Sequence, residues 1–537
     1  MNLVSILPSP APTALSGLSV LFRGLSALFR GQSAMFQRLS ALSPRRHALL
    51  QRLSALFAGR HALSRGQSAR RAARRTLPLL TALLLLCPAF PACAAPPAAN
   101  NFPLDFSVFR MGTEGPVALV IGGIQGDEPG GFSAATLLAM RYTVHKGTIW
   151  VVPNLNFPSI IRSSRGLYGD MNRKFAVLDK ADPEFSTVSR IQELIRAPEV
   201  ELVLNLHDGS GYFRPRREGP LHNPSRWGQS VIIDQSHVAA PESSTGLRHL
   251  EGVAQHVAAA VNARLLAPGH VLHVRNTRTA QGDREMEKSL SWYAVRQGKA
   301  AFGLEASKEF PVAVRTYYHL LMIESFLAAA GIEAERDFPL TPGGVRAALQ
   351  SDLTVAFAEN RIMLPLDDAR PHINLLPLPR NTATGIPSKP IMAVLPDAGT
   401  LCVHYGNRQV TRIRPDWRDM DHSLHSVQVM VDGKERRIAF GQVLEVRDSF
   451  LVRPMEGYRV NAIGASLHTH DESGLTLRKD HFVSRYSVDR RGTLFRVEVY
   501  RGQMFSGLFL VRFGGKPPLT QHQALPSVPR KESALGF

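Results

Sequence analysis

Four short segments of the chain carry side chains that could bind a metal ion and hydrolyse an amide bond. Gln125 and Glu128 stand three residues apart in IGGIQGDEPG, directly after a hydrophobic run. His207 and Glu305 each stand where another hydrophobic run ends. Because sites in open α/β sheets lie beyond the carboxyl ends of strands, we expect these side chains to meet at one edge of a sheet. The fourth segment, RGLYGDMNRKF, supplies Arg165, Asp170, Asn172 and Arg173.

The residue types fit a catalytic zinc ion, which takes three protein ligands and keeps one position open. Gln125, Glu128 and His207 can supply the three ligands. A spacing of three residues, on a turn that enters a helix, lets the first two side chains face one point. An amide oxygen is a poorer zinc ligand than an imidazole, so the glutamine predicts a metal that is held weakly and is somewhat more Lewis acidic.

The remaining polar side chains complete a hydrolytic site. A carboxylate such as Glu305 could take a proton from water and pass it to the leaving amine. Arg165 could polarise the scissile carbonyl group and stabilise its oxyanion. Asn172 and Arg173 could hold a free carboxylate, since a guanidinium binds carboxylates bidentately. We expect Asp170 to fix its loop through hydrogen bonds to backbone N–H groups rather than to act chemically.

The elements that position these side chains alternate between strands and helices from about residue 101 to residue 332. Val117–Ile121 and Val200–Leu206 predict buried strands, and Phe185–Arg196 predicts an amphipathic helix. After about Asp337, short β-branched runs separated by turns follow. The pattern predicts an α/β domain with helices on both faces of its sheet, followed by two small all-β domains. The predicted segments are a leader with signal peptide (1–94), a catalytic domain (95–337), a β-barrel or sandwich (338–447) and an immunoglobulin-like β domain (448–537).

The first 94 residues predict a basic leader that ends in a signal peptide. They contain twelve arginines and no acidic residue, which accounts for twelve charges of the net +19. The apolar stretch TLPLLTALLLLCPAF follows ARRAARR and precedes Ala92-Cys93-Ala94, as in a cleavable secretory signal. We therefore expect a periplasmic protein that is cleaved near Ala94. The remaining charge is weak evidence for nucleic-acid binding, and no nucleic-acid partner is expected.

The joint order of these motifs resembles the zinc carboxypeptidase superfamily, which also contains the succinylglutamate desuccinylase and aspartoacylase deacylases. The D-x-N-R run, with an arginine seven residues before its asparagine, matches the deacylases as well as the peptidases. The resemblance implies a zinc-carboxypeptidase-like mixed sheet, Zn²⁺ as cofactor, Glu128 and His207 as ligands, and Glu305 as general base. It implies the roles given above for the two arginines and the asparagine of RGLYGDMNRKF.

Gln125 stands where the superfamily usually has the histidine of His-x-x-Glu. Here the chain is similar to the murein D,L-carboxypeptidases that set helical cell shape. Those enzymes share a signal peptide, a Q-G-D/N-E metal turn, R-x6-N-R, a histidine after a strand and two β domains. The resemblance implies zinc on Gln125, Glu128 and His207. It implies removal of meso-diaminopimelate from the peptidoglycan tripeptide L-Ala-γ-D-Glu-meso-diaminopimelate, with an effect on cell shape. It also implies that Trp227 lines the substrate site, and that the β domains contact the cell wall or other cell-shape proteins.

Two alternatives stay open on the sequence alone. An N-acyl amino acid deacylase of the succinylglutamate desuccinylase type would use the same scaffold, although its substrates are cytoplasmic metabolites. A catalytically inactive scaffold that binds the cell wall would have lost its zinc, and Gln125 would then be an ordinary loop residue. The presence of all six other functional side chains argues against that loss.

Overall fold

The computed structural model describes residues 105–239, 246–380, 385–467 and 469–514. The predicted leader, the signal peptide and the cleavage position near Ala94 lie outside these residues. Within the described ranges, no helix is long and apolar enough to cross a membrane. The described chain begins with an α/β part and continues as a series of small β-sheets.

A mixed sheet forms the centre of the α/β part. The strands of this part are β1 Phe109–Gly112, β2 Val117–Ile121, β3 Tyr142–Lys146, β4 Thr148–Val152, β5 Val200–Gly209, β6 Tyr212–Phe213, β7 His222–Asn223, β8 Ser230–Ile233, β9 His273–Asn276, β10 Ala300–Ser307 and β11 Glu333–Arg336. The sheet has the order β1-β4-β2-β5-β10-β8-β9. Its four central strands β4, β2, β5 and β10 run parallel, and β1 and β8 pair antiparallel with their neighbours β4 and β10. The predicted α/β class with a mixed sheet is confirmed.

Helices cover this sheet and bury its strands. They are α1 Pro129–Arg141, α2 Phe157–Arg162, α3 Phe185–Arg196, α4 Leu250–Asn262, α5 Leu290–Arg296, α6 Val312–Ala329 and α7 Pro342–Gln350. Every residue of β2 (VALVI) and β4 (TIWVV) is buried, as expected for parallel strands that are covered on both faces. α3 buries Val188, Ile191 and Ile195, which recur at helical spacing on one side.

Smaller β-sheets follow the α/β part. Their strands are β12 Thr354–Phe357, β13 Ile362–Pro365, β14 His372–Pro379, β15 Ile386–Pro387, β16 Met392–Asp397, β17 Thr400–Tyr405, β18 Arg408–Arg418, β19 Ser426–Val431, β20 Lys434–Ala439, β21 Val443–Val446, β22 Ser449–Val452, β23 Tyr458–Ala462, β24 Leu477–Arg478, β25 Leu494–Arg501 and β26 Met504–Phe513. The sheet orders are β13-β12-β15, β14-β18-β17-β16, β20-β19-β22-β24 and β21-β26-β25-β23. The predicted succession of small β-sheet domains after the α/β domain is confirmed.

One of these sheets contributes to two hydrophobic cores at once. Successive residues of a strand point to opposite faces. In β26, Leu508 and Leu510 belong to one buried cluster, whereas Phe509 and Val511 belong to another. Pairing also crosses the predicted boundary between residues 447 and 448, because β19 and β21 precede it and their partners β22 and β26 follow it. The positions of the domain boundaries stay predictions.

The sheet β14-β18-β17-β16 packs against the α/β part beside α2. Ile160 and Ile161 of α2 form a buried cluster with Ile391 and Ala393. A side-chain hydrogen bond joins the same regions, since Asn154 Nδ2 donates to the carbonyl oxygen of Pro390 at 2.8 Å. The helix that supports the candidate site therefore rests on the β part of the chain.

Candidate active site

All eight predicted site residues line one cavity of about 290 Å³ in the α/β part. The sequence places them far apart, and the central sheet brings them together. They are Gln125, Glu128, Arg165, Asn172, Arg173, His207, Trp227 and Glu305.

A tight turn after β2 holds the first two of these residues. Gly126 lies so close to α2 that a Cβ atom there would stand 2.0 Å from the carbonyl carbon of Ser159. Only glycine allows that approach without movement of the backbone. Pro129 then begins α1, which suits a residue whose fixed φ matches a helix and whose missing N–H is not needed there. The turn therefore fixes Gln125 and Glu128 directly before the N-terminal end of α1.

The amide of Gln125 is oriented by Asp170. Gln125 is buried, and its Nε2 donates to Asp170 Oδ1 at 2.7 Å. Burial raises the pKa of Asp170, but the hydrogen bond from Gln125 and the charge of Arg165 outweigh it, so the pKa lies below its ordinary value. An ionised carboxylate can only accept hydrogen bonds, so the amide nitrogen must face it. The amide oxygen is consequently the group that Gln125 can offer to a cation.

Glu128 and His207 meet beside this glutamine. His207 Nδ1 lies 2.9 Å from Glu128 Oε2, and both side chains are buried. The backbone N–H of Asp208 donates to the same Glu128 oxygen at 3.1 Å. Burial lowers the pKa of His207, but the hydrogen bond and charge of Glu128 outweigh it and the net shift is upward.

Gln125, Glu128 and His207 thus offer an amide oxygen, a carboxylate and an imidazole to one cavity. Among the described residues, no group of three or more His, Cys, Asp or Glu side chains is placed to hold a metal ion. A metal site in this cavity therefore depends on the oriented oxygen of Gln125 as the third donor. The arrangement of Gln125, Glu128 and His207 fits a single metal ion with an open position.

Glu305 stands next to His207 on the neighbouring strand. β5 and β10 are parallel, and their register pairs Glu305 with His207. The sequence places both residues at strand ends, but both strands continue for two further residues, because the pairing extends to Gly209 and Ser307. Glu305 Oε2 is enclosed and has no hydrogen-bond partner among the described residues. Burial and the neighbouring carboxylates raise the pKa of Glu305 to about 8, although His207 opposes the shift.

Arg165 lies close to Oε1, the second carboxylate oxygen of Glu128. Its Nε donates to Asp170 Oδ2 at 3.0 Å, and its Nη1 lies 3.7 Å from Glu128 Oε1. Burial lowers the pKa of Arg165, but the charges of Asp170 and Glu128 outweigh it and the net shift is upward. The guanidinium therefore stays positively charged beside Glu128.

Asn172 and Arg173 differ in what they offer to the cavity. Asn172 is buried, and its Nδ2 lies 3.3 Å from His207 Nε2 while its Oδ1 accepts from Leu290 N at 3.0 Å. Its amide is thus engaged with the protein. Arg173 Nη1 donates to the carbonyl oxygen of Asn172 at 2.9 Å, and Arg173 Nε lies 3.8 Å from Glu285 Oε2. The rest of the Arg173 guanidinium is left for an anion.

Trp227 lies at the rim of the cavity, on the segment that precedes β8. The guanidinium of Arg275 stacks on its ring at 3.7 Å from the ring centroid. Such a contact restrains the indole beside the cavity that Trp227 lines.

Comparisons with known proteins identify the family of this chain. A family model described as "Carboxypeptidase controlling helical cell shape catalytic" matches residues 107–350, and a "C-terminal domain of metallo-carboxypeptidase" matches residues 420–514. The apo crystal structure of the cell shape determinant protein Csd4 of Helicobacter pylori is 40% identical, with a TM-score of 0.70. That match covers 76% of this chain and 100% of the Csd4 chain.

The chain belongs to the family of carboxypeptidases that control helical cell shape. It is therefore a metallocarboxypeptidase. A structure of the mDAP-bound form of Csd4, described as a D,L-carboxypeptidase, is 42% identical over 74% of this chain and 96% of that chain, with a TM-score of 0.69.

A curated relative of another activity matches a shorter stretch. The N-alpha-acetyl-L-2,4-diaminobutyric acid deacetylase of Halomonas elongata is 34% identical over 114 residues, which is 20% of this chain and 32% of that protein. This chain therefore spans about a third of the length of that deacetylase.

Several residues that support the metallocarboxypeptidase site were not predicted. Asp208 is fully buried behind His207, where its Oδ2 accepts from Gly130 N at 2.8 Å and from Arg315 Nη1 at 3.0 Å. His319 Nε2 lies 3.2 Å from the other oxygen of Asp208. These contacts tie β5 to the start of α1 and to α6. The position of Asp208 directly after His207 was the signal that could have revealed it.

The role of Asp170 was predicted only in part. Its Oδ1 accepts from the backbone N–H of Asn172 at 3.0 Å, as expected for a loop-fixing aspartate. Its contacts with Gln125 and Arg165 were not expected. Lys308 was also missed, although it stands in the GLEASK segment three residues after Glu305.

Proposed function

We propose that this metallocarboxypeptidase is an exported zinc enzyme that removes meso-diaminopimelate from the peptidoglycan tripeptide L-Ala-γ-D-Glu-meso-diaminopimelate. Its action on stem peptides of the periplasmic cell wall would then affect cell shape. The observation that carries the proposal is the hydrogen bond from Gln125 Nε2 to Asp170 Oδ1 at 2.7 Å, which leaves the amide oxygen for a metal ion in the cavity that Glu128 and His207 also line. The mDAP-bound and tripeptide-bound structures of Csd4 support the choice of substrate.

Gln125, Glu128 and His207 would hold the zinc ion. When bound, zinc supplies a Lewis acid that polarises the scissile carbonyl group and makes water more acidic. Asn172 contacts the opposite ring nitrogen of His207 and so fixes the orientation of the imidazole. Whether Asn172 also contacts a substrate carboxylate stays a prediction.

Glu305 would move the proton of the reaction. Its enclosed Oε2 accepts a proton from the attacking water, whose oxygen bonds to the carbonyl carbon. The C–N bond then breaks, and Glu305 returns the proton to the leaving amine. Arg165 stabilises the oxyanion that forms between these steps, and Arg173 binds the terminal carboxylate of the leaving residue.

The experiment that tests this function uses the purified protein and the disaccharide tripeptide from murein. Mass spectrometry follows the substrate with and without a chelator. We expect a chelator-sensitive loss of one diaminopimelate, which returns when zinc is added back. A panel of N-acyl amino acids separates this function from a deacylase, because a deacylase would hydrolyse the panel and leave the tripeptide intact.

Glu305→Gln tests the assignment of the general base. The substitution keeps the shape of the side chain and removes its ability to accept a proton. We expect kcat to fall by about 10²–10⁴-fold, the usual contribution of a positioned general base, with zinc content unchanged. An inactive scaffold predicts no bound zinc and no difference between Glu305→Gln and wild type. Either result would refute the proposal.

A further inference from the structure

The cavity extends to both sides of the His207–Glu305 pair. Asn205 and Gly303 stand two residues before this pair on β5 and β10, and they line one end of the cavity. Arg173 lies beside the segment that precedes α5, because its Nε lies 3.8 Å from Glu285 Oε2 and Asn172 bonds to Leu290. Beyond the pair, the cavity is lined by Gly209, Ser210 and Lys308.

Lys308 is the cation at this second end. Its Nζ lies 3.2 Å from Asp127 Oδ2 and 3.4 Å from Glu128 Oε1. Two hydrogen bonds fix the backbone of Lys308. Lys308 N donates to Gly209 O at 2.7 Å, and Lys308 O accepts from Arg315 Nη2 at 2.9 Å. The Lys308 side chain is 30% exposed and lines the cavity.

An ammonium group has three N–H donors. The two carboxylate contacts of Lys308 use two of them, which leaves one for a ligand. Arg165 is less suited to that task, because it pairs with Asp170 through both Nε and Nη2. Lys308 therefore has the position and the free donor of an anion-binding residue. Its contacts with Asp127 and Glu128 separate it from Arg173, which contacts Glu285.

The proposed substrate carries a free carboxylate on each side of its scissile amide. In the proposed substrate, Arg173 binds the carboxylate of the leaving residue. The acyl side of the scissile amide is a γ-linked glutamyl residue, whose α-carboxylate is free. We propose that Lys308 binds this α-carboxylate and makes the enzyme select the free acid over the α-amide. This inference rests on the proposed function and adds the chemistry of the acyl residue to it.

The test compares two peptides in each enzyme variant. One is L-Ala-γ-D-Glu-meso-diaminopimelate, and the other carries an α-amide in place of the free α-carboxylate of its glutamyl residue. The measured quantity is the ratio of kcat/KM for the acid to kcat/KM for the amide. Because both values come from the same preparation, differences in zinc content or active fraction cancel in the ratio.

We expect a ratio of about tenfold or more for the wild-type enzyme, as for a close charge pair in a partly desolvated site. Lys308→Gln should bring the ratio to within about twofold of one, and Lys308→Arg should keep a clear preference for the acid. Lys146→Gln is the matched control, because Lys146 is an exposed lysine paired with Glu333 away from the cavity. Its ratio should equal that of the wild type.

A wild-type ratio near one, or an unchanged ratio in Lys308→Gln, would overturn the assignment and leave Lys308 as an ion-pair partner of Asp127 and Glu128 only. If Lys308→Gln has no measurable turnover, equilibrium binding of both peptides to Glu305→Gln and to Glu305→Gln/Lys308→Gln decides in the same way. Cleavage of both peptides at equal rates would refute this inference alone. Cleavage of neither peptide by the zinc-loaded wild type would refute the proposed function as well.

Discussion

At the scale of single residues, the hydrogen bond from Gln125 to Asp170 accounts for a glutamine at this position. An aspartate that orients a metal-bound histidine is a common second partner in zinc sites. Here Asp170 stands 2.7 Å from the Gln125 amide nitrogen and does the same for an amide. In the proposed site, Gln125 takes the place of a histidine ligand as a weaker donor.

Gln125→His should consequently raise the affinity for zinc. The imidazole is the better donor, and Asp170 is already placed to accept a hydrogen bond from its second nitrogen. We expect zinc affinity to rise by roughly tenfold or more, as measured by competition with a chromogenic chelator. An affinity equal to or below that of the wild type would show that the amide oxygen of Gln125 does not contact the metal.

At the scale of elements, the turn between β2 and α1 depends on its contact with α2. A Cβ atom at position 126 would lie 2.0 Å from the carbonyl carbon of Ser159 and 2.3 Å from Ile160 N, both of which are backbone atoms. Neither can move without a shift of α2, and α2 in turn packs on Ile391 of the β part. The turn cannot relax around a larger residue.

Gly126→Ala is therefore expected to displace the metal turn. We expect a loss of about 1–3 kcal/mol in the free energy of unfolding and a clear loss of zinc affinity. Urea denaturation and chelator competition measure the two effects. Gly219→Ala is the matched control, since a Cβ atom there meets no atom within 4 Å. Equal behaviour of the two variants would contradict this account of the turn.

At the scale of the whole molecule, a buried lysine joins the α/β part to the β part. Lys389 is 6% exposed, and its Nζ donates to the carbonyl oxygens of Ala348 and Leu349 at the end of α7. Burial lowers the pKa of Lys389 to about 8, although Asp352 opposes the shift. The unfolded chain keeps its proton up to the ordinary lysine pKa. Between these two values it binds more protons than the folded protein, so stability rises with pH.

Lys389→Met should remove this pH dependence. We expect the free energy of unfolding of the wild type to rise by about 2–3 kcal/mol relative to the variant between pH 7.5 and pH 10.5. Urea denaturation at both pH values measures the difference, in which the other titrating groups cancel. Lys146→Met, at an exposed position, is the matched control. A constant difference for Lys389→Met would show that its ammonium is not perturbed by burial.

Much of the fold follows from local sequence patterns. β2 and α3 have the predicted bounds, because a continuous apolar run and a helical spacing of Val188, Ile191 and Ile195 are local signals. The strand predicted over Val200–Leu206 ends too early, because β5 continues to Gly209 through its pairing with β10.

The sequence by itself determined which side chains line the candidate site, because their types and their order along the chain are sufficient to indicate a metal-dependent hydrolytic site. Only the tertiary structure decided how they are used. The register of β5 with β10 places Glu305 beside His207, and the approach of Asp170 to Gln125 fixes the direction of the amide. The contribution of β25 and β26 to two hydrophobic cores could not be predicted from the sequence either. All three depend on contacts between residues distant in the chain, and a local pattern carries no information about strand register or about which side chains meet across elements.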